Sequence, residues 1–217
     1  MKVSFPPLDK KLCSLIGLLL SDGSVYFDKS KRTYCIQFTN KIVGMRNYFK
    51  SLVTDLFGDI KFSENKCKNA VSVRFFSKRI AEFLFSFSPT YRTLRFPDGT
   101  YPNCRIPDEI KYSKAFSSEL LKAFASCDGT AHFNPKYSNR IIEVRCFHPE
   151  LLRDLFDCFS TLDIRCRTPK NALRITNRIE IGKFRDSVGF LEESLICDSN
   201  SKHFGEPKLE ILNRLLS

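Results

Sequence analysis

Apolar residues recur along this chain in two rhythms, a three-to-four spacing that signals an amphipathic helix and a two-residue spacing that signals a half-buried strand. The helical rhythm runs first over residues 9–21 and stops at Asp22-Gly23. Alternation follows over 26–28 and 33–39, two strands joined by a polar turn at 29–31. Residues 45–57 return to helical spacing and end at Gly58. Two further strands fit 60–63 and 71–76, and a helix fits 79–87. Pro89, Pro97, Pro102 and Pro107 then interrupt the pattern and mark a linker.

Beyond the prolines the series repeats. A helix over 117–127 ends in Asp128-Gly129, strands fit 130–133 and 141–146, and a helix fits 150–162. Strands at 165–168 and 173–181, a helix at 184–196 and a short final helix at 208–216 complete it. The order αββαββα occurs twice, with the two Asp-Gly steps about half a chain apart, so internal duplication is the best account. The expected class is α+β, with two pseudo-symmetric subdomains at 1–88 and 114–217 joined by a linker at 89–113.

Composition narrows the partner. Lys and Arg number 35 against 24 acids, a formal charge of +11 with a pI near 9.3. An excess of this size points to a polyanion, nucleic acid or an acidic membrane surface, displayed by folded elements because no long basic block occurs. The longest apolar run, 15–20, is far too short to span a bilayer. The nine Cys residues include no CxxC pair and are odd in number, which argues against a disulfide framework or a zinc site. The segment 1–7 has no apolar signal region, so an intracellular, reducing setting is expected, with most Cys and many of the 21 Phe residues filling the core.

The two Asp-Gly helix ends carry the chemistry. Small residues recur at four-residue spacing in each helix: Cys13, Gly17 and Ser21 in the first, Ala123 and Cys127 in the second. Such faces let two helix backbones approach closely. Packed together, the helices bring Asp22 and Asp128 to one place, where the helix C-terminal dipoles and mutual repulsion disfavour both carboxylates. A divalent cation reverses that penalty. Gly23 and Gly129 are expected as left-handed helix stops, and carbonyls near Ser21 and Cys127 are expected to complete an oxygen-rich site suited to Mg²⁺.

The segments 15–23 and 121–129 resemble the paired LAGLIDADG motifs of homing endonucleases, and the flanking repeats extend the resemblance over nearly the whole chain. The second motif is the looser, with Lys122, Ser126 and Cys127 at variable positions. The resemblance implies a saddle of two antiparallel sheets along the DNA major groove, with the paired helices at the subdomain interface. It also implies cleavage across the minor groove that leaves short 3′ overhangs. Asp22 and Asp128 become the metal-binding catalytic acids, using two or three divalent ions, Mg²⁺ with Mn²⁺ able to substitute. Asn40 and Lys41 match a polar residue and a Lys that line the family's active site, whereas the second half has Cys146 and Phe147 there. Lys202 resembles a further basic position, with Arg92 or Arg95 as its first-half counterpart.

The strands supply a reading surface. Thr33, Cys35, Gln37 and Thr39 alternate with apolar Tyr34, Ile36 and Phe38, and a polar face of this kind suits major-groove base edges. Ser72 and Arg74, then Arg140, Glu143 and Arg145, and Arg174, Thr176 and Arg178 extend the pattern. His132, His148 and His203 show no metal-ligand spacing. The expected protein is a monomeric, free-standing and intron-encoded endonuclease acting on an asymmetric double-stranded DNA site of roughly 20 bp, about one helical turn per half. An RNA-splicing maturase or a non-cleaving DNA-binding regulator on the same fold is the alternative, though binding DNA gains nothing from two extra carboxylates. An unrelated RNA-binding protein is disfavoured by the absence of aromatic RNA-binding signatures.

Overall fold

Asp9 caps the first helix, α1 (Lys10–Ser21), its carboxylate accepting the Leu12 N–H at 2.8 Å. Every residue from Leu12 to Leu20 is buried. A helix apolar on all sides belongs in an interior, and α1 runs through the middle of the molecule. The computed structural model describes residues 5–134 and 139–217. Residues 1–4, part of the segment read as lacking a signal region, lie outside the described residues.

After α1 come β1 (Gly23–Asp28), β2 (Thr33–Asn40), α2 (Val43–Phe57), β3 (Ser63–Cys67), β4 (Ala70–Phe76) and α3 (Lys78–Phe85). A short α4 (Asp108–Lys111) precedes α5 (Lys114–Asp128), β5 (Gly129–Asn134), β6 (Asn139–Arg145) and α6 (Pro149–Thr161). β7 (Ala172–Ile175), α7 (Arg178–Ser187) and α8 (Lys208–Arg214) follow. The first half forms an antiparallel sheet in the order β1-β2-β4-β3, and the described residues of the second form β5-β6-β7. Ile36, Phe38, Val73 and Phe75 of one sheet and Ile142, Val144, Leu173 and Ile175 of the other face the core. Cys13, Cys104, Cys146 and Cys158 act there as small hydrophobes. None of the described helices is long and apolar enough to cross a membrane.

Several boundaries differ from the sequence reading. The third strand occupies Ser63–Cys67 instead of 60–63; it is a polar edge strand with most residues exposed, so it carries no alternation to read. Residues 165–168 make only an isolated bridge, Arg167 to Arg174. The run 173–181 is broken at Asn177, whose side chain accepts from the Ile179 and Glu180 N–H groups and starts α7. That helix therefore begins well before residue 184 and ends at Ser187, followed by Gly189 at φ +66°.

The segment between α3 and α5 is packed, with Tyr91, Cys104, Ile106 and Ile110 buried. Its anchor is Asp154 of α6, fully buried, which accepts from Arg105 Nε and Nη2 (2.9 and 3.0 Å), the Ile106 N–H (2.8 Å) and Lys111 Nζ (3.2 Å). Burial pushes this carboxyl up, but those donors outweigh it and hold the group below the usual carboxylate range. Across the molecular middle, α1 packs against α5, and a Cβ at Gly17 would lie 2.5 Å from the Leu120 carbonyl oxygen and 3.0 Å from the Ala123 Cβ. The backbones are in contact there.

Two stability outcomes follow. Asp154→Ala leaves two cations facing a vacated buried site and is expected to cost about 3–5 kcal/mol in urea unfolding near neutral pH. Because the folded pKa is depressed, the contribution is present above the unfolded value and lost as pH falls through the folded one, so the gap between wild type and variant should close below about pH 4. Gly17→Ala gains about 1 kcal/mol of helix propensity but forces a methyl against a backbone oxygen. The expected net result is destabilisation, read as a lower Tm, and an unchanged or higher Tm would show that the helices can part at no cost.

Candidate active site

Each central helix passes directly into a strand at its Asp-Gly step. Gly23 and Gly129 are not left-handed stops: Gly129 is extended, at φ −97° and ψ 159°, and Gly23 is not among the positive-φ residues. Glycine is required for a different reason. A Cβ on Gly23 would meet the Leu19 Cα at 2.5 Å, and one on Gly129 the Ala125 carbonyl oxygen at 2.4 Å. The strand leaves so close to its own helix that no side chain fits.

Asp22 and Asp128 thereby line one cavity of about 460 Å³, together with Asn40, Lys41, Cys127, Arg145, Phe147, Asp198 and Lys208. Asn40, at the end of β2, donates from Nδ2 to Asp22 Oδ2 at 2.7 Å, and its own Oδ1 accepts the Ile42 N–H at 2.8 Å. Arg46 fixes the backbone here by donating to the Asn40 and Lys41 carbonyls (2.8 and 2.9 Å). Lys41 is exposed at the cavity wall. Burial raises the Asp22 pKa, against the opposing pull of Asn40 and Lys208. Burial and then the Asp22 charge push Asp128 up to about 7, with Lys208 opposing.

The second half of the site is built differently. Cys146 is buried and donates its thiol to the His148 carbonyl, and Phe147 stands in the cavity wall with 67 % of its surface exposed. The cation on this side is Lys208, at the start of α8, which the sequence reading did not single out. Its ammonium is buried and donates to the carbonyls of Ser126 (2.8 Å), Gly129 (2.6 Å), Ala125 (3.4 Å) and Cys127 (3.5 Å). Lys208 thus caps the C-terminal end of α5, and burial lowers its pKa. One signal was available: a Lys in the first turn of a helix opposes the helix dipole and calls for a partner elsewhere.

Other predicted positions are placed as follows. The Ser21 hydroxyl donates back to the Gly17 and Leu18 carbonyls and does not line the cavity. Cys127 lines the cavity, and its carbonyl accepts from Lys208 at 3.5 Å. Lys202 is exposed outside the cavity wall, beside His132. Arg92 and Arg95 stack over Phe96 and Tyr101, also outside it.

On the first sheet, Thr33, Gln37 and Thr39 share the face turned away from the core, with Gln37 directly opposite Arg74. On the second, Glu143 and Arg145 share that face and Glu143 lies opposite Arg174. Arg140 falls on the other side of β6, over the Phe133 ring, and Thr176 is exposed just past β7. Arg178, expected on a strand, is instead in α7, where it donates to the Leu216 and Ser217 carbonyls.

The residues present fit a divalent cation bound together with a phosphate. Two partly buried carboxylates in mutual repulsion are stabilised by one, and among the described residues no group of three or more His, Cys, Asp or Glu side chains is placed to hold a metal. Mg²⁺ is commonly held by one or two carboxylates with waters and substrate phosphate completing the shell.

No protein-family model and no curated protein matches the sequence. Solved structures do match. A structure of the homing endonuclease I-DmoI is 14% identical over 82% of this chain and 90% of its own, at a TM-score of 0.58. I-DmoI in complex with DNA and Mn gives 13% identity, 82% and 96% coverage and 0.57. Full-length DUF199/WhiA from Thermatoga maritima is 15% identical over 99% of this chain and 62% of its own, at 0.58. The N-terminal LAGLIDADG domain of DUF199/WhiA also matches, at 0.55. With two such halves meeting along α1 and α5, the chain has the LAGLIDADG fold.

Proposed function

We propose that this chain is a divalent-metal-dependent, site-specific endonuclease of double-stranded DNA, of the intron-homing type. It acts inside the cell as a monomer on an asymmetric site of roughly 20 bp, one helical turn per half. The observation that carries the reading is the convergence of two partly buried carboxylates, Asp22 and Asp128, on one open cavity between two sheets that expose polar faces. Solved structures of I-DmoI with target DNA contain Mn or Ca, and one was obtained in the presence of Mg, which supports the same ion class here. The two subdomains are taken as 1–88 and 114–217, with 89–113 between them.

In this reading Asp22 and Asp128 hold the cations, which supply charge against the phosphate oxygens and a more acidic water. Asn40 keeps the Asp22 carboxylate oriented with one oxygen turned to its amide. Lys41 offers an exposed ammonium to charge developing on the strand nearest the first half. Lys208 neutralises the α5 carbonyls so that Asp128 is not also opposed by the helix end. A non-cleaving DNA-binding protein is the second reading. Lys208 favours it, because that ammonium already sits where a cation's charge would help.

A plasmid library with random inserts, captured on the protein in Ca²⁺ and then challenged with Mg²⁺, separates the two readings. Cut molecules support a nuclease, and capture without cutting supports the binder. Asp22→Asn and Asp128→Asn are each expected to abolish double-strand cleavage while binding in Ca²⁺ is kept or tightened, since a negative charge facing DNA is lost. Wild-type cutting by both variants would remove these acids from the mechanism.

The unequal halves give a second outcome. Lys41→Ala should slow one strand on the order of 100-fold and let a nicked plasmid accumulate, with the nick on one strand by end labelling. Equal slowing of both strands without a nicked species would assign Lys41 to a shared role or to binding.

A further inference from the structure

The outward face of the second sheet contains a buried carboxylate whose place needs explaining. Glu143 belongs to the set of β6 residues turned away from the core, yet its side chain is only 10% exposed, because two guanidiniums cover it. Arg145, two residues along the same strand, donates its Nε to Glu143 Oε1 at 2.8 Å. Arg174, directly opposite on β7, donates Nε to Oε2 at 2.8 Å and adds a contact from Nη2. Burial alone would raise the Glu143 pKa, but the two guanidiniums reverse it and hold the group below the usual range, an ionised acid between two cations.

A lone Glu on a DNA-facing sheet would repel phosphate or accept from a cytosine amino group. Here both of its oxygens are occupied, so its effect is on the arginines. Arg145 is held by Nε alone and Arg174 by Nε and Nη2, so each keeps an Nη1–Nη2 end edge with hydrogens that Glu143 does not use. That edge matches the O6 and N7 acceptors of guanine in the major groove. Holding long, rotamer-rich side chains before binding lowers the ordering cost of the contact. The pseudo-equivalent slot of the first sheet is built from Gln37 opposite Arg74, without a carboxylate. Arg74 leans on the Ser63 hydroxyl at 3.4 Å, with the Asn65 amide oxygen, once oriented toward it, at 2.8 Å.

We propose that the second sheet selects two neighbouring guanines in its half of the target through Arg145 and Arg174, with Glu143 as the positioning residue that presents both. This rests on the double-stranded DNA reading above and adds the base content of one half-site. Arg145 also lines the Asp22–Asp128 cavity, so its guanine lies nearer the cut than that of Arg174.

The test uses the full chain and a duplex library with a randomised centre, selected in Ca²⁺ and sequenced. Two neighbouring guanines on one strand of one half-site should be enriched, each preferred by about 10- to 100-fold over other bases. Arg145→Ala and Arg174→Ala should each erase one of the two preferences, because neither leaves a donor for the guanine O6 and N7. Glu143→Gln should weaken both together while binding to guanine-free duplexes stays equal or rises, an effect that loss of sheet stability would not produce. Selected sites whose guanines are absent, or indifferent to both arginine variants, would overturn the guanine assignment and leave DNA binding standing. Failure to retain any duplex would overturn both. If Glu143→Gln does not fold by circular dichroism, the two arginine variants decide the guanine assignment.

Discussion

Where α1 crosses α5, the hydrogen of Gly17 occupies the space that a methyl group would need against the Leu120 carbonyl. This backbone contact sets the distance between the two halves, and the acids at the helix ends inherit it. Two partly buried carboxylates are then held at the negative ends of two helices, an arrangement with a standing electrostatic cost. The surroundings answer it locally, Asn40 on Asp22 and Lys208 on the end of α5. The cost that is left, seen in the raised Asp128, is one that a divalent cation would relieve.

The two halves share a framework and differ in chemistry. Gly23 and Gly129 solve the same steric problem, and the strands after them pair in matching order. Yet a hydrogen-bonding Asn40 stands on one side and a buried thiol, Cys146, on the other. An exposed ammonium, Lys41, is answered by an exposed ring, Phe147, and the second side takes its cation from a distant helix. The sheets diverge in the same way, Gln37 with Arg74 against Glu143 with Arg174.

Much of this was legible in the sequence because it is local. The Asp-Gly steps, the small-residue face around Gly17 and the alternation of Thr33 to Thr39 are short-range patterns that a linear reading can find. What escaped depends on context. The strand Ser63–Cys67 is polar on both faces, so no period marks it. The 173–181 run looked continuous because Asn177 acts as a cap only once the chain has turned. The glycines at 23 and 129 were explained by backbone freedom, when the limiting factor is the nearness of Leu19 and Ala125. Lys208 sits far along the chain from the carbonyls it serves, and no spacing rule connects them.

The seam between the central helices also decides what each half can mate with. Gly17 and Ala123 lie against each other across it, and a methyl at position 17 would come within 3.0 Å of the Ala123 methyl. Two copies of α5 meeting in this way would crowd two methyls into room for one, while two copies of α1 would leave that room empty. Each half is therefore shaped to its partner better than to itself. A gene that began as a self-pairing repeat, once it had made this exchange of glycine for alanine, would find the return to a homodimer of either half sterically disfavoured, with no charged residue needed to enforce it.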